Sequence, residues 1–337
     1  MRYAYKKKII YCGVIVITLI ILLHPDMNAR RSYEYIEKDD ILHSLHEATT
    51  ENFTSTAILD CDYYDIIHDE TTLSISLVDG DLIEGHRIKE GGEYAPSYCK
   101  PKYSTAIIVP YRDRAEQLRG FLVYMHTYFH RQHIHYRIYV VEQVDSRPFN
   151  RAKLMNIGAV AAMKAGYPCL ILHDVDLLPL RPANLYACTK RPRHMSSSIN
   201  KYRMLTSTLL GYYGFADISR KKRFVLPYLN LFGGAIAIVS KQYKAINGMS
   251  NEFYGMGGED DDLYSRLEAN NLKLCRFQPD TSRYHMVSSK AERKTDQRKK
   301  VISFNKERMA ADGLSSLKYT EVATVLHPLF THIMVDL

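Results

Sequence analysis

The sequence predicts an α/β fold, a sheet covered by helices on both faces, and three observations carry that expectation. Short β-branched apolar runs at residues 106–109, 137–141, 169–172 and 235–239 have the continuous hydrophobicity of strands buried on both sides. Amphipathic stretches near 115–128, 151–164, 241–246 and 259–270 read as helices, so strand and helix alternate along the chain. A cluster of charged residues also follows each of the first three runs, at the strand ends where ligands gather on such sheets. The sequence shows no internal repeat and no low-complexity tract.

Taken from the N-terminus, residues 1–8 form a short tail carrying Arg2, Lys6, Lys7 and Lys8. Residues 9–23, IIYCGVIVITLIILL, are one uncharged apolar stretch. As a helix it spans ~22 Å, enough for a thin early secretory membrane if the flanking lysines snorkel. Because the basic residues precede it, a signal-anchor leaves the tail cytoplasmic and the rest of the chain lumenal. A cleaved signal peptide is the competing reading, disfavoured because no small-x-small cleavage site follows. Both readings place the body in an oxidising compartment. Residues 24–60 are polar and aperiodic, as expected of a lumenal stem, and hold the glycosylation sequon Asn52-Phe53-Thr54.

The folded body is expected over 61–337, with an N-terminal part of about 61–148 and a C-terminal part of about 149–337. With Cys12 in the apolar stretch, five cysteines remain: Cys61, Cys99, Cys169, Cys188 and Cys275. Four of these make two disulfides in one of three connectivities, and one thiol is left over.

Composition limits the function. With 337 residues, 46% hydrophobic and 24% charged, the chain is neither a disordered polymer, a polytopic membrane protein nor a disulfide miniprotein. The formal net charge of +8 is spread out, with dense basic runs only at 6–8, 220–223 and 293–300. No zinc-finger, homeodomain or RNP pattern accompanies them, so no nucleic-acid partner is expected. A basic surface that attracts anionic ligands such as nucleotide phosphates is the better reading.

The post-strand clusters give that reading content. Pro110-Tyr111-Arg112-Asp113-Arg114 places two guanidinium forks at a strand end, suited to phosphate or carboxylate. Phe149-Asn150-Arg151-Ala152-Lys153 opens a helix whose N-terminus also favours an anion. His173-Asp174-Val175-Asp176-Leu177 offers two carboxylates at i and i+2, one for a metal and one for a sugar hydroxyl. Each alone is an ordinary surface turn. Three after three consecutive strands are what a nucleotide-sugar site requires. A fourth cluster, Phe253-Tyr254-Gly255-Met256-Gly257-Gly258-Glu259-Asp260-Asp261-Asp262, joins a glycine-rich loop to four acids that start a helix. That is more acid than capping needs, and it points to a general base with acceptor-binding carboxylates.

In this order PYRDR, FNRAKLMNIG, HDVDLLPL, RPRHMSSSINKY, LFGGAIAIVSKQY, INGMSNEF and GMGGEDDDLYSRL resemble the β-1,4-galactosyltransferase family of Golgi type II membrane enzymes, including its N-acetylgalactosaminyltransferase branch. The similarity runs from about Cys61 to Leu337 and includes DGLSSLKY and the HPLFTHIMVDL ending. It implies a GT-A-like nucleotide-sugar-binding fold with a central, mostly parallel sheet behind one transmembrane helix. The implied reaction is inverting transfer of galactose or N-acetylgalactosamine from a UDP-sugar, in β-1,4 linkage, to a terminal β-N-acetylglucosamine of a glycoconjugate. By the same resemblance Pro110, Arg112, Arg114, Phe149 and Arg151 hold the uridine diphosphate end and Lys201 helps neutralise its phosphates. Asp174 lies near the transferred sugar, and Val175 and Asp176 occupy donor and metal positions. Gly258, Glu259, Asp260 and Asp261 form the acceptor site, with Asp260 the catalytic base. Cys61 with Cys99 and Cys169 with Cys188 match the family's disulfides, leaving Cys275 unpaired. The expected cofactor is Mn²⁺ or, as an alternative, Mg²⁺.

Four positions depart from the family pattern. Asp176 and Met286 are present as metal ligands, but the histidine expected three residues after the methionine is Ser289, a weaker donor. His285 is adjacent and is the candidate replacement. Met256 stands where a loop tryptophan closes over the sugars, and the chain has no tryptophan. Leu231 stands where galactose-transferring relatives carry tyrosine, and in this family a smaller residue there makes room for an N-acetyl group. The stretch 203–225 is longer than the family's connection. Ser289 and Met256 together motivate the alternative of a weakly active or inactive pseudoenzyme that binds nucleotide or glycan. A xylose acceptor is disfavoured by the GGEDDD form of the acidic cluster.

Overall fold

The structure is a computed structural model that describes residues 11, 13–16, 18, 35–50, 53–54, 57, 59–75, 88–200, 226, 230–255, 257–287 and 306–337. Lys201, Met256, Ser289, Asn52, the 203–225 stretch and most of 9–23 lie outside them. No helix among the described residues is long and apolar enough to cross a membrane.

In chain order the strands and α-helices are β1 (Tyr35–Ile36), α1 (Ile41–Ser44), α2 (Tyr64–His68), β2 (Glu93–Tyr94), β3 (Ser104–Tyr111), α3 (Ala115–His130), β4 (His135–Gln143), α4 (Arg151–Lys164), β5 (Cys169–His173) and β6 (Leu177–Pro179). They continue as β7 (Arg193–His194), β8 (Ser198–Ile199), β9 (Ala235–Val239), α5 (Ser240–Ala245), α6 (Glu259–Ala269), β10 (Arg276–Phe277), β11 (Arg283–Met286), α7 (Lys306–Ala311), β12 (Thr320–Leu326) and β13 (Thr331–Asp336). The four anticipated strands and four anticipated helices are all present.

The main sheet is eight-stranded in the order β12-β13-β4-β3-β5-β9-β7, with β2 paired to β4. It is mixed rather than mostly parallel. The pairs β13–β4, β4–β3 and β3–β5 are parallel, whereas β12–β13, β5–β9, β9–β7 and β2–β4 are antiparallel. The cause lies after β5: the chain re-enters the sheet where β5 ends, so Ala235 at the start of β9 faces His173 at the end of β5. The residues leading into β9 thereby join the C-terminal ends of β3, β4 and β5 at one edge.

Side-chain alternation along each strand divides the core between the faces. Ile107, Val109, Ile138, Val140 and Ile171 pack with Leu118, Phe121, Leu122 and Met125 of α3. Ala106, Ile108, Tyr139, Val141, Leu170 and Leu172 pack with Leu154, Met155 and Ile157 of α4 and Leu263 and Leu267 of α6. Gly158 on α4 marks a close approach, because a Cβ there would collide with Ile108 and Val141. A smaller sheet, β6-β11-β8, lies after β5 and brings residue 286 beside residue 177.

Two disulfides close loops: Cys61–Cys99 over 38 residues and Cys169–Cys188 over 19, with Cys275 free and buried. These are the two pairings the resemblance implies. The second ties the start of β5 to the segment before β7, and on loop-closure grounds it contributes about 3 kcal/mol. Cys169→Ser with Cys188→Ser is expected to lower the unfolding free energy by about that amount in a denaturant titration. No change in the midpoint would show that the link is redundant.

Candidate active site

The edge where β3, β4 and β5 end collects the charged residues anticipated there. After β3, Arg112 donates through Nη1 to the Arg147 carbonyl at 2.7 Å and lies 5.2 Å from the Phe149 ring centroid. The first two basic clusters therefore meet, one guanidinium stacked on one aromatic face. Arg114, the residue before α3, approaches Asp176 with its Nη1 3.8 Å from Oδ2. Pro110 is buried within β3 beside Val141.

After β4, Asn150 caps α4 by accepting from the Lys153 N–H at 2.9 Å, donates to the Asn251 carbonyl at 2.7 Å, and its own N–H donates to Gln143. This sets the direction of Arg151, the first residue of the helix. The Arg151 fork is the centre of the site. Its Nε donates to Asp174 Oδ1 at 2.6 Å and its Nη1 to Asp260 Oδ1 at 3.0 Å. A guanidinium with a 12% exposed side chain thus bridges two clusters that are far apart in sequence. Arg151, expected at the diphosphate, here has Nε and Nη1 on the two carboxylates while Nη2 carries no hydrogen bond. Burial pulls its pKa down, but Asp174, Asp260 and Glu259 outweigh that, so it stays charged.

After β5, Asp174 and Asp176 are partly exposed, while Val175 between them is 5% exposed and packs in the core. The Val175 side chain therefore contributes to the core. The turn is held from behind by a residue that sequence reasoning left without a role. His173 hydrogen-bonds the Asp174 carbonyl through Nδ1 at 2.9 Å and the Tyr186 hydroxyl through Nε2 at 2.8 Å, and Tyr186 meets the Tyr284 hydroxyl at 2.8 Å. Burial lowers the His173 pKa to about 4, so the ring is neutral and fixes one tautomer.

Before β9, the carbonyl of Leu231 accepts from Arg276 at 2.9 Å, Phe232 is fully buried, and the Gly234 carbonyl accepts from the Asp174 N–H at 3.0 Å. Gly234 has φ +81°, which favours glycine. The acidic helix α6 starts at Gly258, φ +101°, where a Cβ would meet Phe253 at 2.7 Å. Its acids divide by direction. Glu259 accepts from the Gly257 N–H at 2.9 Å. Asp260 points at Arg151 with its side chain 24% exposed. Asp261 is partly exposed. Asp262 turns inward to Arg266 Nε at 2.6 Å and to Arg308, in a network with Asp312, which also holds Ser250 Oγ at 2.5 Å and the Asn251 N–H at 2.9 Å. The fourth acid therefore fastens α6 to α7 and the 247–251 turn.

Asp260 has the most informative electrostatics. Burial raises its pKa, Arg151 opposes that, and Glu259, Asp174 and Asp261 add to it; the carboxyl is pushed up to about 7. A carboxylate near neutrality, reachable from solvent, suits a general base.

The metal positions also come together. β11 runs antiparallel to β6, Met286 faces Leu177, and the Val287 N–H donates to the Asp176 carbonyl at 2.8 Å. A carboxylate just before β6 and a thioether on β11 suit manganese better than magnesium, which favours an all-oxygen shell. His285, the candidate replacement, takes a hydrogen bond from Asn200 Nδ2 on its Nδ1 at 2.7 Å and alternates in direction with Met286 along β11. Among the described residues no group of three His, Cys, Asp or Glu side chains is placed to hold a metal.

The chain matches the family models described as the N-terminal region of glycosyl transferase group 7 over residues 46–189 and the N-terminal domain of galactosyltransferase over 214–290. It is 37% identical to human β-1,4-galactosyltransferase 1 over 266 residues, covering 77% of this chain and 62% of the relative. It is 38% identical to rat β-1,4-galactosyltransferase 3 over 256 residues, covering 74% and 60%. The chain thus spans about three-fifths of the length of these curated relatives. Among solved structures, a mutant of Drosophila β-1,4-galactosyltransferase 7 in complex with manganese, UDP-Gal and xylobiose matches with a TM-score of 0.55 and 25% identity, over 70% of this chain and 94% of that one.

Proposed function

This chain belongs to the β-1,4-galactosyltransferase family, and from that premise we propose that it is an inverting, UDP-sugar-dependent transferase that builds a β-1,4 linkage onto a terminal β-N-acetylglucosamine. The observation that carries the reading is the Arg151 bridge, which holds the donor-side carboxylate of Asp174 and the acceptor-side carboxylate of Asp260 in one cluster at the edge of the sheet.

In the proposed reaction the Asp260 carboxylate removes the proton of the acceptor hydroxyl. The freed oxygen attacks the anomeric carbon of the donor sugar opposite the diphosphate, the bond to the phosphate oxygen breaks, and the configuration inverts. Arg112 and Arg114 face the place of the diphosphate, with Phe149 beside Arg112 as a platform. Asp174, paired to Arg151, accepts a hydroxyl of the transferred sugar, while Gly258, Glu259 and Asp261 frame the acceptor. Lys201 and Met256 are assigned to the donor side on family grounds. Asp176 and Met286 would hold manganese, which would supply positive charge to the departing diphosphate; nothing supports the magnesium alternative. The chain is assigned a cytoplasmic tail of 1–8, a signal-anchor of 9–23, a stem of 24–60 with Asn52 glycosylated, a catalytic region of 61–337, and a place on the lumenal side of the Golgi membrane.

For the donor, Leu231 supports use of UDP-N-acetylgalactosamine alongside or above UDP-galactose. Its carbonyl is held by Arg276, which supports a substitution there acting through the side chain. The test offers the lumenal segment a β-N-acetylglucosamine acceptor with each donor, with and without Mn²⁺. Transfer of N-acetylgalactosamine at least equal to galactose is expected, and Leu231→Tyr should cut the ratio ~10-fold or more. Strict use of UDP-galactose by the unaltered protein would end the donor assignment. UDP binding with no transfer from either donor would favour the pseudoenzyme.

A further inference from the structure

We propose that Gly233 is a positioning residue for the base: its bare Cα is the seat of the Asp260 carboxylate, and any side chain there drives the carboxylate off the acceptor hydroxyl. The inference rests on the reading of Asp260 as the base and names a determinant of its placement.

Two adjacent glycines precede β9 and serve different ends. Gly234, at φ +81°, is in the region that favours glycine. Gly233 is not among the glycines with positive φ, so an alanine could adopt its backbone without strain. What Gly233 supplies is room. A Cβ built on it would overlap Cγ and Oδ2 of Asp260 and come within 2.8 Å of Oδ1. All three nearest atoms belong to that one side chain.

The segment has no freedom to retreat. The Gly233 carbonyl accepts from His194 Nε2 at 2.9 Å and from Ser196 Oγ at 3.0 Å. Ser196 Oγ in turn accepts from the Ala235 N–H at 2.9 Å, and Gly234 is tied to Asp174. His194 and Ser196 are both fully buried, so these anchors do not give way to solvent. Asp260 is thus held between the Arg151 fork, 3.0 Å away, and the flat face of Gly233. When a side chain is added, the yielding part is the Asp260 carboxylate, the free end of a short side chain, while the surrounding fold stays in place.

The experiment compares the unaltered lumenal protein, Gly233→Ala, Asp260→Ala and the double variant by steady-state transfer and by thermal melting. Gly233→Ala is expected to lower kcat ~100-fold with the KM for the UDP-sugar changed less than ~3-fold, the mark of a displaced catalytic group. In melting, Gly233→Ala costs several degrees when Asp260 is present and about one degree or less in the Asp260→Ala background, because the clash partner is gone. A kcat within ~3-fold of the unaltered protein, or equal melting losses in both backgrounds, would overturn the proposal. If the unaltered protein transfers nothing, the reading of the site as a transferase fails, and the melting comparison still decides the Gly233–Asp260 contact.

Discussion

Asp260→Asn is expected to lower kcat ~10³-fold or more while leaving the fold and UDP binding intact. The amide has the size of the carboxyl and keeps the place beside Gly233 and Arg151, but it has no basic oxygen to take the acceptor proton. The pH dependence gives an independent check. The carboxyl sits at about 7, raised first by burial and then by Glu259, Asp174 and Asp261 against Arg151. A base works only when deprotonated, so kcat/KM should rise with pH through about 7 and retain about a tenth of its plateau one pH unit below. The residual activity of Asp260→Asn should lack this acid limb. An asparagine variant with a near-normal rate, or one that keeps the limb, would assign the base to another group.

Arg151→Met should cost ~10²-fold or more in kcat/KM and move the acid limb to higher pH. The guanidinium makes both hydrogen bonds that join Asp174 to Asp260, and its positive charge lowers the Asp260 pKa. Without it, two carboxylates at the end of β5 and the start of α6 repel each other. Asp260 then binds its proton more tightly, so a higher pH is needed to free the base. Methionine retains the apolar length of the side chain, and a melting curve separates loss of the bridge from loss of the fold. A variant with reduced rate but an unmoved limb would show that Arg151 acts on the donor rather than on Asp260.

The central strands were legible because β3, β4, β5 and β9 are buried on both faces and announce themselves as continuous apolar runs. The short strands β6, β7, β8 and β11, two to four residues each, carry no such local signal, since pairing with distant segments creates them. The hairpin β12–β13 was not anticipated as strands either; β12 is an exposed edge without a buried face to impose a pattern. The antiparallel entry of β9 depends on where the chain goes between residues 174 and 235, which periodicity does not encode.

At the site, residue types were readable and their directions were not. That Arg151 opens a helix suggested an anion, but not that carboxylates from two other clusters would be its partners within the chain. The four acids of α6 look alike in sequence, and only the buried Arg266 and the partly exposed Arg308 show that Asp262 faces inward. Gly233 and His173 sat inside motifs already singled out, but their roles lie in space left empty and in a neutral ring. The signal that was available is the doubling of glycine before β9, of which only one copy is needed for conformation.

The backbone before β9 is pinned residue by residue: Leu231 by Arg276, Gly233 by His194 and Ser196, and Gly234 by Asp174. A segment fixed in this way separates what inheritance can alter from what it must keep. Under the proposed donor role, a change of the side chain at 231 alters sugar choice while the carboxylates and their bridge stay where they were. On that reading, a lineage carrying this scaffold changes its glycan through one codon, with the machinery of transfer inherited unaltered.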